Sequence, residues 1–118
     1  MQTTAQEKSY SFSLAIIRFV NGLDRKIYSN EVLGRQLIRC ATSVGANIVE
    51  AQAGTTKKDF ANFLTHALKS ANESKYWLAL LEDTNAHSAE ILKLRDEAMG
   101  LSKILGASIS TIRGTRKS

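Results

Sequence analysis

No proline occurs anywhere in the chain. Proline breaks helix interiors and is common in turns, so its absence favours long helices joined by short connections. Cysteine occurs once, as Cys40, which excludes an internal disulfide framework and fits a reducing compartment. Aromatic residues make up only 7% of the chain, and they are not interleaved with basic residues in the manner of single-strand stacking platforms. No stretch approaches the roughly 20 apolar residues that a membrane span requires. The N-terminus lacks the basic region and small-residue cleavage site of a signal peptide, so the expected location is cytoplasmic. His66 and His87 fall on different segments, and no Glu is followed by His three positions later, the spacing that builds di-iron sites in helical bundles. No metal or cofactor is therefore expected. There is also no Gly-x-Ser-x-Gly elbow, and nothing in the spacing of the serines supplies a base or an oxyanion hole. The chain does not read as an enzyme.

What the sequence does contain is apolar residues at helical spacing. The hydrophobic fraction is 43% over 118 residues, enough for one domain with one core. In a first segment, about 8–25, Phe12, Ile16, Phe19 and Leu23 recur at steps of four, three and four and share a face. Tyr28-Ser29-Asn30 reads as a turn, with Ser29 or Asn30 capping a second helix over about 31–53. Leu33, Leu37, Val44 and Ile48 form its apolar stripe, and the small residues from Ala41 to Ala46 allow close helix approach. Gly54 reads as a left-handed terminator, and Thr55 or Thr56 as the cap of a third helix over 57–84. Phe60, Leu64, Ala67, Ala71, Ser74, Leu78 and Leu81 make that helix a heptad seam. A fourth helix, about 88–113, repeats the pattern with Ile91, Leu94, Ala98, Leu101, Leu105, Ser108 and Ile112. Four such helices with short turns predict an all-α fold, a single antiparallel up-down-up-down four-helix bundle spanning 1–118.

Beside the apolar stripe of the second helix, Gln36, Arg39, Ser43, Asn47 and Glu50 form a polar one. Ser and Asn are weak helix formers for an open surface, so the row reads as a helix or subunit interface. His66, Ser70, Glu73 and Trp77 form a matching row on the third helix. Phe63, Tyr76, Trp77 and Leu80, with Ile17 and Val20, exceed what one small bundle easily buries, which predicts self-association. Gly54-Thr-Thr-Lys-Lys58 lacks the glycines and the preceding strand of a phosphate loop, and reads as a capped turn.

The formal net charge is +5, which suits a polyanionic partner. Residues 8–58 hold eight basic against three acidic side chains, whereas 82–97 hold two against five. This predicts a positive and a negative side. The candidate phosphate contacts are Arg18, Arg25, Lys26, Arg35, Lys57, Lys58, Arg113, Arg116 and Lys117.

The run Leu33-Gly-Arg-Gln-Leu-Ile-Arg-Cys-Ala-Thr-Ser-Val-Gly-Ala-Asn-Ile-Val-Glu-Ala51 resembles the signature of a bacterial family of four-helix-bundle proteins. Its members were first known as open reading frames in intervening sequences of 23S ribosomal RNA genes. The matching positions are Gln36, Leu37, Arg39, Ser43, Val44, Asn47, Ile48, Glu50 and Ala51, followed by Asp59-Phe60, Phe63-Leu64 and the segment from Ala67 that includes Glu73. Many relatives carry glycine where this chain has Ala51, which implies a second helix about a turn longer. The resemblance implies a homopentamer and kinship with accessory proteins of diversity-generating retroelements, basic pentamers that bind nucleic acid and a reverse transcriptase. It implies no catalytic activity. The expected function is a non-enzymatic, homo-oligomeric nucleic-acid-binding or RNA-associated accessory protein. The alternative is an oligomeric protein-interaction scaffold with no direct nucleic-acid role.

Overall fold

The computed structural model describes residues 4–114. Four helices follow one another: α1 (Thr4–Asn21), α2 (Tyr28–Gln52), α3 (Lys57–Thr84) and α4 (Ala89–Arg113). Each packs against its neighbour in the chain, and α1 against α4 closes the square, while the backbones of the diagonal pairs stay apart. This is the expected antiparallel four-helix bundle, 47 Å long and about half as wide. One end, the hinge end, holds the α1–α2 and α3–α4 connections. The other, the open end, holds the α2–α3 turn and the start of α1 beside the close of α4.

The core lies where the stripes meet. Phe12, Ile16 and Phe19 of α1 face Leu37, Val44 and Ile48 of α2, Leu64, Leu78 and Leu81 of α3, and Leu94, Leu101 and Leu105 of α4. Small residues let the helices approach: Ala41, Ala67, Ala71 and Ala98 are fully buried. A Cβ on Gly45 would lie 3.4 Å from Ser9 Oγ, and one on Gly34 would lie 2.8 Å from Val20 Cγ1. The stretch 41–46 thus sits against α1, with Ser13 Oγ donating to the Ala41 carbonyl at 3.3 Å.

Several boundaries differ from the sequence expectation, each for a local reason. Helix α1 begins and ends four residues earlier than the expected 8–25. Its stripe runs N-terminally through Ala5 and the buried Ser9 rather than through large apolar side chains. It stops because Gly22 and Leu23 close on the Phe19 and Val20 carbonyls three residues back, and Asp24 Oδ1 then accepts from the Lys26 N–H at 2.9 Å. Tyr28, Ser29 and Asn30 are not a turn but the first turn of α2, whose N-cap is Ile27 with no side-chain bond. Gly54 is not left-handed. Ala53 is right-handed, and the N–H groups of Ala53 and Gly54 reach the Glu50 and Ala51 carbonyls. The left-handed glycine cap belongs to α4, at Gly114 with φ 70°. The expected caps at Thr56 and Ser88 are present: their hydroxyls accept from Asp59 N and Ile91 N. In α4 the last buried position is Ile109, not Ser108.

Candidate functional site

Two features carry the polar chemistry of this molecule: a seam between α2 and α3, and an uneven distribution of charge.

The seam is built from the two rows expected of these helices. Arg39 pairs with Glu73 across the helices, and its Nε donates to Gln36 Oε1 at 3.1 Å. Glu73 Oε2 also accepts from the Trp77 indole at 3.0 Å. One turn along, Ser43 Oγ accepts from Ser70 Oγ at 3.1 Å and from Asn47 Nδ2 at 3.0 Å. Beneath them, the Cys40 sulfur lies 3.2 Å from Ser74 Oγ. Burial raises the Cys40 thiol above its ordinary pKa, so it is neutral and inert at physiological pH. Two members of the rows stand apart. Glu50 and His66 are exposed, and their side chains make no hydrogen bond or ion pair among the described residues. The Arg39 side chain is 57% exposed, so its pair with Glu73 contributes little while water can reach it.

The hinge end holds two polar clusters absent from the sequence reading. Asn30, 2% exposed, exchanges amide hydrogen bonds with Asn85 at 3.1 and 2.8 Å and donates to the Asp24 carbonyl. This ties the first connection to the second. Asn30 lies seven residues before Leu37, inside the apolar stripe, and an amide at such a position was the available signal. The second cluster is Glu82, nearly buried, which pairs with Arg95 and accepts from His87 Nδ1 at 3.1 Å. The His87 hydrogen bond, more than the Arg95 charge, holds its carboxyl below the ordinary glutamate range against the opposing effect of burial. No spacing rule joins residues 82, 87 and 95 across a turn, so the sequence carries no signal for this cluster.

The nine candidate phosphate contacts do not form one patch. Lys57, Lys58 and Arg113 border a common depression at the open end. Arg25 and Arg35 border another at the hinge end, with Lys26 in the same connection and Arg18 one turn before the close of α1. Arg116 and Lys117 lie outside the described residues. If each helix is divided at mid-length, the open half holds six basic against three acidic described residues. The hinge half holds eight against eight. The expected positive and negative sides therefore become a basic open end and a neutral hinge end, the latter split into a basic α1–α2 side and an acidic α3–α4 side.

Of the apolar residues expected to exceed the core, Ile17, Val20, Phe63, Trp77 and Leu80 are half-buried, and Tyr76 is 59% exposed. Others stand out more: Tyr10, Tyr28, Val32, Val49, Leu92 and Met99 are all exposed. Tyr10 and Val49 edge a groove of about 840 Å³ between α1 and α2, floored by Ser13 and Gly45. Among the described residues there is no group of three His, Cys, Asp or Glu side chains placed to hold a metal ion. No described helix is long and apolar enough to cross a membrane.

The family model described as "23S rRNA-intervening sequence protein" matches residues 1–107. A crystal structure of a protein of unknown function from the S23 ribosomal protein family of Bacteroides thetaiotaomicron superposes with a TM-score of 0.82 at 33% identity. The match covers 89% of this chain and 97% of that one. No curated protein matches the chain. The chain belongs to the 23S rRNA-intervening sequence protein family.

Proposed function

We propose that this member of the 23S rRNA-intervening sequence protein family is a non-enzymatic, homo-oligomeric accessory protein that binds nucleic acid through phosphate contacts at the open end of its bundle. The observation that supports this most is the accumulation of charge there. The hinge half is neutral, and the described basic surplus lies in the open half, where Lys8, Lys57, Lys58, Lys69, Lys103 and Arg113 outnumber Glu7, Glu50 and Asp59. Lys57 and Lys58 lie in the exposed first turn of α3, and Arg113 closes α4 beside them. Lysine and arginine without a base-reading helix or stacking aromatics read backbone charge, not sequence. In an oligomer the patch is repeated, and weak single contacts add by avidity. Arg18, Arg25 and Lys26 form a smaller second group whose effect the neighbouring acidic side chains reduce. A protein-only scaffold is the competing reading, supported by the acidic α3–α4 side of the hinge end.

The test is a mobility shift with structured RNA and with duplex DNA across a salt series. Phosphate binding releases counterions, so affinity should fall steeply with salt and depend little on sequence. The double variant Lys57→Glu, Lys58→Glu should stay folded and flatten the salt slope by about 2 per engaged subunit. Absence of any shift at low salt with either nucleic acid would leave the scaffold as the function.

A further inference from the structure

We propose that the α1–α2 corner of the hinge end docks an acidic segment of a partner protein, with one apolar side chain of that segment seated in the depression that Arg25 and Arg35 border. This goes beyond nucleic-acid binding at the open end and does not depend on it.

Three exposed apolar side chains lie together at this corner. Ile27 is 41%, Tyr28 81% and Val32 40% exposed. Tyr28 and Val32 are four residues apart on α2 and so are neighbours on its surface. Ile27 precedes Tyr28 as the N-cap of the helix, and Arg35 lies three residues beyond Val32 on the same outer stripe. The Tyr28 hydroxyl has no hydrogen-bond partner among the described residues. Beside the patch, a depression of about 230 Å³ opens between the close of α1 and the start of α2. The half-buried Val20, Leu23 and Ile38 wall it, and Arg25, Glu31 and Arg35 border it. Small-molecule pockets have roughly 300–1,000 Å³, so this smaller space suits a single side chain of a larger partner.

Charge selects the sign of that partner. Arg25, Lys26 and Arg35 are exposed, and their side chains make no ion pair or hydrogen bond among the described residues. The acids nearby are Glu31 and Asp24, and Asp24 Oδ1 is engaged by the Lys26 N–H. The surplus is local, which separates a short acidic peptide from a nucleic acid. A polyanion responds to charge summed over about 10 Å or more, and the hinge half as a whole holds as many acidic as basic described residues. Phosphates also gain nothing from an apolar floor. A short acidic segment pairs with the three cations at close range, while its apolar side chains fill the depression and cover Ile27, Tyr28 and Val32. Tyrosine and arginine are among the residues that most often anchor protein interfaces.

The test is fluorescence anisotropy of the full chain with labelled short peptides of Asp and Glu that carry Leu and Phe four residues apart. Micromolar binding is expected. It should weaken about tenfold or more when Leu and Phe are changed to Ser, or when Asp and Glu are changed to Lys. Tyr28→Ala and Arg35→Glu should each weaken it by a similar factor, and Tyr28→Phe should not. Lys57→Glu with Lys58→Glu should leave it unchanged, which separates this site from the open end. Circular dichroism and light scattering should show Tyr28→Ala with wild-type helicity and mass, since so exposed a ring supports no core. Four results would each overturn the proposal: no binding by any acidic, apolar peptide; equal binding by the peptide stripped of Leu and Phe, which would mark a response to charge alone; a changed mass in Tyr28→Ala, which would give the patch to a second copy; or binding of oligothymidylate that depends on Tyr28, which would give it to nucleic acid. The first two leave phosphate binding at the open end untouched.

Discussion

Replacing Asn30 with alanine removes three hydrogen bonds at one buried point: two that its amide donates, to the Asp24 carbonyl and Asn85 Oδ1, and one that it accepts from Asn85 Nδ2. Each is worth about 0.5–1.5 kcal/mol net. Two circumstances place the loss in the lower part of the summed range. The Asp24 carbonyl keeps the Ile27 N–H at 3.2 Å. The half-buried Asn85 keeps its bond to the Leu81 carbonyl at 2.9 Å and can turn toward water. The expected cost of Asn30→Ala is therefore about 2 kcal/mol, a large share of the roughly 5–15 kcal/mol total for a domain. It corresponds to a fall of about 6–10 °C in melting temperature for a chain of this size. Urea unfolding at fixed protein concentration measures it, since assembly adds to apparent stability by mass action. Asn85→Ala in the same background should add little, because the pair is already broken, giving a coupling energy of about 1 kcal/mol or more in a double-mutant cycle. Asn30→Asp keeps the shape but aims a carboxylate at two acceptors, and should cost at least as much as alanine. Stability of Asn30→Ala within about 0.5 kcal/mol of wild type, the usual tolerance of a surface site, would show that the amide pair does not hold the two connections together.

Two other perturbations test the packing and the buried charge. Glu82→Gln should lower the urea midpoint near pH 7, and the gap to wild type should close as pH falls. A carboxyl whose folded pKa lies below the ordinary value of about 4.3 stabilises the fold above that value. That contribution is lost as pH drops through the lowered pKa, and a gap that widened in acid would contradict the assignment. Gly34→Ala gains up to about 1 kcal/mol of helix propensity, but its Cβ would meet Val20 Cγ1 at 2.8 Å. Valine is stiff at χ1, so overpacking of about 1–3 kcal/mol should win. The variant should be destabilised and then improved by Val20→Ala, as read by thermal melts; a more stable single variant would show that α1 gives way freely.

The sequence pattern was most informative where large apolar residues repeat without interruption. The seam of α3 from Phe60 to Leu81 placed that helix at 57–84, the bounds it has. It failed where small or polar residues carry a core stripe. Ser9 continues the stripe of α1 toward its start because Gly45 leaves room for it, and hydrophobic spacing does not register a serine. Asn30 had the chemistry of a cap and the position of a core residue, and tertiary pairing with Asn85 decided between them. At the close of α4 a heptad reading selects Ser108, but a helix of 3.6 residues per turn drifts against a 3.5 repeat, which brings Ile109 inward instead.

Charge was the least legible property, for a topological reason. Net charge summed along the chain assigns a basic first half and an acidic segment at 82–97. An antiparallel bundle does not keep such segments apart, because every end of it collects pieces of all four helices. Glu82 and Asp83 close α3 and Glu90 opens α4 at the end where Arg25 and Lys26 connect α1 to α2. Acid and base therefore cancel there over the whole end, while remaining on different sides of it. The open end receives the self-cancelling Glu7 and Lys8 of α1 and Glu50 of α2 together with Lys57, Lys58, Asp59, Lys69, Lys103 and Arg113, and keeps a surplus. One linear gradient thus becomes two surfaces of different kinds: an open end with a basic surplus, and a neutral hinge end with opposite charge on its two sides.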